Sequence, residues 1–237
     1  MRSLWRCGAD VMDAMVPDVR DFVENKLRIP AFSNSAPHIP NLLLHELEES
    51  LKEKNRDTRR RALFKKATQH TLLINTSGSG KTRSLLEALT KNWGFYFICK
   101  NPAEEGIGSS DLVSALDGLE SEPEFQAEFP SGPLTGELRL KMLNNQHIAR
   151  RLFNAVLMAR LIIFNQFLAL VVEHAKKKST PFYGAYMRRW LELQVQSWTL
   201  GGTQHADVFA HLSAKIIEAN LTQEDEIEMF SKLRAAV

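Results

Sequence analysis

The chain is poor in cysteine, and this shortage excludes two classes of small, cross-linked fold. Its two cysteines, Cys7 and Cys99, lie far apart in a sequence of 237 residues. Two distant thiols build neither a disulfide framework nor a cysteine-rich zinc site. The cysteine usage therefore favours a reducing compartment.

The sequence also lacks a strong net charge, a secretory signal and a long uninterrupted apolar segment. A formal net charge of +2 provides no global field for nucleic acid or an acidic membrane. The longest apolar run, 161–172, contains Asn165 and Gln166 and is shorter than the roughly 20 apolar residues that cross a bilayer. We interpret it as a buried core helix. The expectation is an intracellular protein, cytoplasmic or nuclear, with no membrane partner.

What the sequence does contain is a glycine-rich turn at 71–82, which reads TLLINTSGSGKT. An apolar, strand-like run precedes the turn, and a helical pattern of leucines follows it, which is the context of a phosphate-binding P-loop. Gly78 and Gly80 let the backbone N–H groups approach phosphate oxygens closely. The N-terminus of the following helix favours an anion.

Two side chains of this motif have predicted roles. Lys81 is expected to reach the β and γ phosphates, and the Thr82 hydroxyl is the candidate ligand of Mg²⁺. The ligand is ATP or another nucleoside triphosphate. Asn75 replaces the first glycine of the usual pattern, and asparagine tolerates left-handed backbone angles better than most residues. The predicted nucleotide-binding residues are Thr76, Ser77, Gly78, Ser79, Gly80, Lys81, Thr82 and Arg83. The alternative is a serine- and glycine-rich surface loop that happens to precede a lysine.

The remaining pattern predicts a helix-rich α/β fold of the P-loop NTPase type. Residues 94–99 are aromatic and apolar without polar alternation, so with 71–75 they form two strands of an incomplete parallel sheet. Residues 1–40 are a partly irregular lead-in, and 41–237 form one P-loop NTPase-like domain with a helical part at 135–237. Helices are expected at about 42–51, 57–68, 110–119, 135–178, 181–195, 206–219 and 222–235.

A basic run at 52–66 holds eight lysines and arginines against two acidic residues. Such a run is typical of nuclear-import signals and of nucleic-acid contacts. No aromatic residues for base stacking interleave with the charges, so we favour a solvated helix face. Nucleic-acid binding through 52–66 stays as the weaker alternative.

NTP hydrolysis also needs an acidic residue at the end of an apolar strand, and the sequence offers no good candidate. Glu173 ends an apolar run, but the residues before it continue a helical pattern. Asp207 stands at a helix start, where the helix dipole already explains an acid. The catalytic residues are therefore unassigned.

The P-loop, together with 93–97 (WGFYF), 188–194 (RRWLELQ) and 207–212 (DVFAHL), resembles a family of uncharacterised P-loop ATPases from mushroom-forming fungi. This family is similar to the ATPase modules of Crinkler-type effectors. The resemblance covers roughly residues 40 to 220 and implies ATP as the nucleotide. It also implies an apolar strand ending in Asp-Glu beyond the Asp207 segment and one more helix. We therefore expect this sequence to be the N-terminal part of such a module, ending before its acidic strand.

Three functions follow from these observations. The first is nucleotide binding by a P-loop derived from an ATPase, with weak or absent hydrolysis. The second is an active NTPase that uses an unconventional acid, such as Glu173 or Glu105, or an acid from a partner. The third is a non-catalytic helical interaction module with a vestigial P-loop. A kinase is less attractive, since Arg188 and Arg189 are better read as the basic end of an amphipathic helix than as lid arginines.

Overall fold

The computed structural model describes residues 13–27, 29, 41, 43, 45, 47, 80–99, 107–129, 131–133, 135–177, 183–196 and 207–235. Within these ranges 72% of the residues are helical and no β-strand is present. The α/β prediction with a parallel sheet is therefore wrong for this part of the chain. The predicted strand at 94–99 is irregular, while the other one, 71–75, and the helices predicted at 42–51 and 57–68 fall on residues outside these ranges or on isolated ones.

The segment around Tyr96 is not a strand, because its backbone N–H and carbonyl groups form hydrogen bonds with side chains and not with a neighbouring strand. The Tyr96 N–H donates to Oε1 of Gln194 at 2.8 Å, and the Tyr96 carbonyl accepts from Nη1 of Arg160 at 3.1 Å. The Phe95 ring packs edge-on against Phe164, with 5.5 Å between the ring centroids. The aromatic residues that resembled a buried strand thus pack against side chains of helices and are only partly buried, with Phe97 39% exposed. Strand propensity alone does not distinguish this environment from a sheet.

Seven α-helices and one π-helical turn make up the described structure. The helices agree with the sequence pattern after residue 80, including the long helix predicted at 135–178 and the two predicted near the C-terminus. They are α1 (Pro17–Asp21), the π-helical turn (Phe22–Leu27), α2 (Lys81–Leu89), α3 (Asp111–Ser121), α4 (Gly136–Lys176), α5 (Tyr183–Val195), α6 (Val208–Glu218) and α7 (Gln223–Ala235).

The chain divides into two compact units. The first comprises Met1–Gly94 with Tyr183–Leu191, and the second comprises Phe95–Phe182 with Glu192–Val237. In the first unit Leu86 of α2 and Trp190 of α5 are buried. The Trp190 indole N–H donates to the Gly94 carbonyl at 2.8 Å, so the apolar ring is buried without leaving its polar atom unsatisfied.

The second unit is built around α4, which packs against α3, α6 and α7. Its apolar core joins Ala115 of α3 to Ile148, Leu152 and Val156 of α4. Positions 148, 152 and 156 are four residues apart, so their side chains lie on one face of the helix. Burial of this face stabilises α4, which is much longer than the average helix of about 11 residues.

A buried ion pair joins α4 to the start of α3. Arg160 and Asp111 both have fully buried side chains, and the arginine makes two hydrogen bonds to the carboxylate, from Nε at 2.6 Å and from Nη2 at 2.9 Å. The guanidinium group also lies 4.8 Å from the Phe97 ring centroid and 4.2 Å from that of Phe209. Every face of the charged group therefore has a partner inside the second unit, which is the condition for burying a charge.

The start of α6 is tied to the same region. Asp207 caps this helix by accepting from the N–H groups of Phe209 and Ala210, so its predicted position at a helix start is confirmed. Its carboxylate also accepts from the Ser109 hydroxyl at 3.0 Å and from the Ser110 N–H at 2.8 Å. Asp207 therefore fixes the entry to α6 and the entry to α3 together.

One described helix, α4, is long and apolar enough to cross a membrane by length and composition. Of its most apolar window, 39% is buried inside the structure. A core helix of a soluble protein has the same length and composition, so these two properties of a single helix do not assign it to a membrane. The apolar run 161–172, predicted to be a buried core helix, is helical but only partly buried: Phe164 and Val171 are buried, while Leu170 and Val172 are 64% and 52% exposed.

Replacing Arg160 by methionine is expected to destabilise the second unit strongly. The substitution keeps much of the side-chain volume but leaves the Asp111 carboxylate buried without its partner, which costs about 3–5 kcal/mol. Urea unfolding followed by circular dichroism measures the change. The Arg160→Met, Asp111→Leu double variant should recover much of the loss, since it removes the unpaired charge.

Lys232→Met is the matched control for Arg160→Met. Lys232 pairs with Glu228 on α7, but both side chains are mostly exposed. Such a pair contributes at most about 1 kcal/mol. Equal losses from the buried and the exposed substitution would contradict the importance given to the buried pair.

A capping box at the start of α7 makes a pH-dependent contribution to stability. The Thr222 hydroxyl and the Thr222 N–H both donate to the Asp225 carboxylate, and these bonds lower the pKa of Asp225 below its ordinary value of 3.8. Because the folded-state pKa is the lower one, the contribution is present above pH 3.8 and is lost as the pH falls through the folded-state value. An NMR titration of the carboxyl group should show the pKa returning towards 3.8 in Thr222→Val. Thr222→Ser keeps the hydroxyl and should keep the lowered pKa.

Candidate phosphate-binding site

The structure begins α2 at the residue that the P-loop motif requires. Gly80 is the N-cap residue, with φ 78° and ψ 17°, which is the left-handed conformation. Its carbonyl accepts the first helical hydrogen bond, from the Ser84 N–H at 2.9 Å, and also a bond from the Ser84 hydroxyl at 3.0 Å. Left-handed angles cost residues with a Cβ about 1–2 kcal/mol, which explains a glycine at this position.

The N-terminus of α2 carries no charge of its own that would compensate the helix dipole. No acidic residue lies in its first turn, and no side chain caps Gly80. By contrast, α3, α4 and α7 each have an acidic residue in the first turn. The positive end of α2 is therefore electrostatically suited to an external anion.

Arg83, in the first turn of α2, makes two side-chain contacts within the first unit. Nε of Arg83 donates to Glu87 at 3.0 Å, and Nη1 donates to the Leu43 carbonyl at 3.2 Å. The Glu87 side chain is only 7% exposed, so this ion pair is largely screened from water. These contacts give Arg83 a structural task in positioning α2, and its contact with phosphate stays a prediction.

Of the other predicted site residues, two lie in the first turn of α2 and four lie outside the described ranges. Thr82 is exposed, so its hydroxyl is accessible to an ion, and Lys81 is half-buried at the first position of α2. Four predicted residues lie outside the described ranges: Thr76, Ser77, Gly78 and Ser79. In the part of the chain that the structure describes, no group of three or more histidine, cysteine or carboxylate side chains could hold a metal ion. The chain's described contribution to a Mg²⁺ site is thus the Thr82 hydroxyl.

The two candidate acids within the described residues, Glu173 and Asp207, make contacts that serve the fold. Glu173 is on α4 and is mostly exposed, and it accepts a hydrogen bond from Lys177 at 2.7 Å, one turn further on. It is therefore a helix-surface residue, which was the alternative that the sequence favoured. Asp207 is occupied as the cap of α6. Glu105 lies outside the described residues. Arg188 and Arg189 are in α5, but near its middle and not at the basic end that the sequence interpretation placed them in.

Sequence reasoning missed the polar groups that organise the second unit. Arg160, which directly precedes the apolar run 161–172, was not singled out, and neither were Asp111 and Gln194. An arginine next to twelve apolar or amide residues inside a helix was a usable signal, since such a charge must find a buried partner. No sequence pattern identified Asp111 as that partner, because it is 49 residues away along the chain.

Comparisons of the chain with protein-family models, with curated proteins and with solved structures gave no match.

Replacing Gly80 by alanine is expected to weaken the start of α2. An added Cβ at this position would meet nothing within 4 Å, so the effect comes from the backbone angle alone and should be about 1–2 kcal/mol. Gly132→Ala is the matched control, since its added Cβ also meets nothing and its backbone angle is not in the left-handed region. Thermal unfolding of both variants tests this, and an equal response would contradict the constraint at Gly80.

Proposed function

We propose that residues 76–83 bind the polyphosphate of a nucleotide, ATP, together with Mg²⁺. The observation that carries the proposal is the left-handed Gly80 directly followed by a helix whose first turn has no acid and no side-chain cap. In the sequence GSGKT this arrangement provides backbone donors, the Lys81 ammonium and the Thr82 hydroxyl at one helix end. The proposal concerns the loop and its helix and does not depend on a β-sheet.

Each group has a distinct task in the proposed complex. The N–H groups at the start of α2 would donate to phosphate oxygens, and the dipole of α2 would favour their negative charge. Lys81 would neutralise the β and γ phosphates, while bound Mg²⁺, held through the Thr82 hydroxyl, would supply further charge neutralisation. The choice of adenine rests on the resemblance to the fungal ATPases, since no described residue is tied to a base.

Binding without efficient hydrolysis is the form of the proposal that the sequence supports. Hydrolysis requires an acid that orients Mg²⁺ or activates water, whereas Glu173 pairs with Lys177 on the surface of α4 and Asp207 caps α6. An active NTPase whose acid comes from a partner or from outside the described residues is the alternative.

A non-catalytic helical interaction module is the second candidate, and one observation favours it. Leu140 and Leu143 near the start of α4 are each more than half exposed, and their three-residue spacing makes them neighbours on the helix surface. Exposed apolar groups that lie close together are common at protein interaction sites. This function would use the second unit and does not exclude nucleotide binding by the first.

We further propose that the protein acts in a reducing, intracellular compartment and not in a membrane. Cys99 is a free and exposed thiol, which fits a reducing setting. Arg160 directly precedes the apolar run of α4, and its charge is satisfied by Asp111 within the protein. This is what a core helix of a globular unit requires.

A binding assay with a fluorescent ATP analogue and Mg²⁺ tests the proposal directly. Lys81→Ala removes a charge-assisted contact worth about 1.5–3 kcal/mol, so affinity should fall roughly ten- to a hundredfold. Lys91→Ala is the matched control, since Lys91 is an exposed lysine just beyond α2. Nucleotide binding that is absent in the wild type, or lost equally in both variants, would sink the proposal.

Phosphate release distinguishes binding from hydrolysis. We expect the wild-type protein to release phosphate from ATP no faster than Lys81→Ala, because no apolar strand-like run of this sequence ends in the expected Asp-Glu pair. Release that depends on Lys81 would instead support an active NTPase. Loss of that release in Glu173→Gln would then assign Glu173 as the acid.

A further inference from the structure

The last helix of the second unit, α7, packs against α4 without burying any residue of its own. All its residues are exposed except four half-buried ones at helical spacing, Glu226, Met229, Phe230 and Leu233. By contrast, α6, which also packs against α4, buries Phe209 and Ser213. Since apolar burial is the main force that holds packed helices together, α7 is held more weakly than α6.

Two side-chain hydrogen bonds anchor α7 to α4. Asn154 Nδ2 donates to Glu226 Oε2 at 2.8 Å, and Asn165 Nδ2 donates to the Leu233 carbonyl at 3.1 Å. The Oδ1 atom of Asn165 is buried and has no hydrogen-bond partner. Because the same amide group contacts α7, undocking of the helix would return this oxygen to water. The docked position of α7 is therefore unfavourable for one of its two anchors.

The turn between α6 and α7 has a special backbone residue, Asn220. Its φ is 46°, and it is the one non-glycine residue with a positive φ in the described part of the chain. Left-handed angles are unfavourable for residues with a Cβ, although asparagine tolerates them better than most. Its side chain accepts a long hydrogen bond, 3.4 Å, from Nη1 of Arg151, whose Nε is buried without a partner. Both unsatisfied buried atoms of the described side chains thus belong to residues that hold α7 or this turn.

Contacts within α7 and its capping turn stabilise the helix locally. The Thr222 hydroxyl and N–H donate to Asp225, and Lys232 pairs with Glu228 one turn earlier. The first turn is acidic, and the last turn is basic, which complements the helix dipole. None of these contacts involves α4, so undocking would not break them.

The part of α4 that α7 covers continues an apolar face that is exposed near the start of α4. Met158 and Leu161 lie between the two anchoring asparagines, and the steps of four, three and four residues from 154 to 165 place all four positions on one helix face. Towards the N-terminus the same spacing leads through positions 150 and 147 to Leu143 and Leu140, which are more than half exposed. Undocking of α7 would therefore lengthen an apolar face that is already exposed.

We propose that α7 is a detachable strap, which undocks from α4 as a unit about Asn220 while α3, α4 and α6 stay packed. Among the described residues, the apolar core around Leu152 includes side chains of α3, α4 and α6 but none of α7. When docked, the strap covers α4 at Met158 and Leu161, and when undocked it uncovers them beside Leu140 and Leu143. This device does not depend on nucleotide binding by the P-loop.

Hydrogen exchange of the full chain, followed residue by residue by NMR, tests the strap. An undocked helix of 13 residues is only marginally stable in water, so its amides exchange in the open state. We expect residues 226–235 to share one low protection factor, at least about a hundredfold below that of residues 148–160. A protection factor that rises steadily from 235 towards 226 would show fraying from the end. A value equal to that of 148–160 would show opening only by global unfolding, and either result overturns the proposal.

Asn220→Ala and Asn220→Gly form the matched pair for the hinge. Both remove the amide that Arg151 contacts, but only alanine keeps a Cβ at the left-handed angle. Protection of α7 should be roughly five- to tenfold lower in Asn220→Ala than in Asn220→Gly, while residues 148–160 respond equally to both. Equal protection of α7 in the two variants would contradict a hinge at Asn220.

The two anchors are expected to respond in opposite directions. Asn165→Leu removes the unsatisfied oxygen and adds apolar contact, so the protection of α7 should rise. Asn154→Leu removes a satisfied hydrogen bond and leaves Glu226 without its donor, so the protection of α7 should fall. The same measurement applies to both variants, and a fall in Asn165→Leu would overturn the unfavourable docking assigned to that anchor.

Discussion

The buried ion pair between Arg160 and Asp111 is the interaction on which the second unit depends. A guanidinium group with no exposed surface is stable only if each of its donors and both of its faces are occupied. Asp111, the Tyr96 carbonyl and Gln194 lie around its edge, and the rings of Phe97 and Phe209 lie over it. One side chain of α4 therefore fixes the positions of four other segments.

This constraint also explains why the aromatic segment after Gly94 is irregular. A strand needs a partner for its backbone groups, whereas here the backbone of Tyr96 is satisfied by Gln194 and Arg160. Gly108 completes this arrangement with φ 97°, and its N–H donates to the Val195 carbonyl at 2.9 Å. A Cβ on Gly108 would come within 2.6 Å of Ile98, so the two loops approach as closely as a glycine permits.

The two units offer different chemistry. In the first, the start of α2 combines a left-handed glycine with an uncompensated helix end, and the proposed nucleotide function rests on this geometry together with the GSGKT sequence. In the second, the charged groups in the core are matched with each other. Charge in the core of the second unit thus serves architecture.

Local patterns determined most of the helices and the start of α2. Thr135 caps α4 by accepting from the Leu138 N–H, and Gly80 precedes α2 as the motif requires, because capping and turn formation involve residues that are close in sequence. The same reasoning failed at 94–99, because its aromatic and apolar residues have a high strand propensity but form no strand. The candidate site was predictable from the sequence only as a motif. The hydrogen bond from Arg83 to the Leu43 carbonyl, 40 residues away, was not predictable.

By itself, the sequence determined which described segments after residue 80 are helical, with ends within a few residues of those observed, since helix starts and ends depend on near neighbours in the chain. Only the tertiary structure decided that Arg160 pairs with Asp111, that Gln194 satisfies the backbone of Tyr96, and that Arg151 keeps a buried donor without a partner. These contacts join residues separated by 49 and 98 positions. No local propensity encodes them, because they result from the requirement that each buried polar group find a partner after the helices have packed.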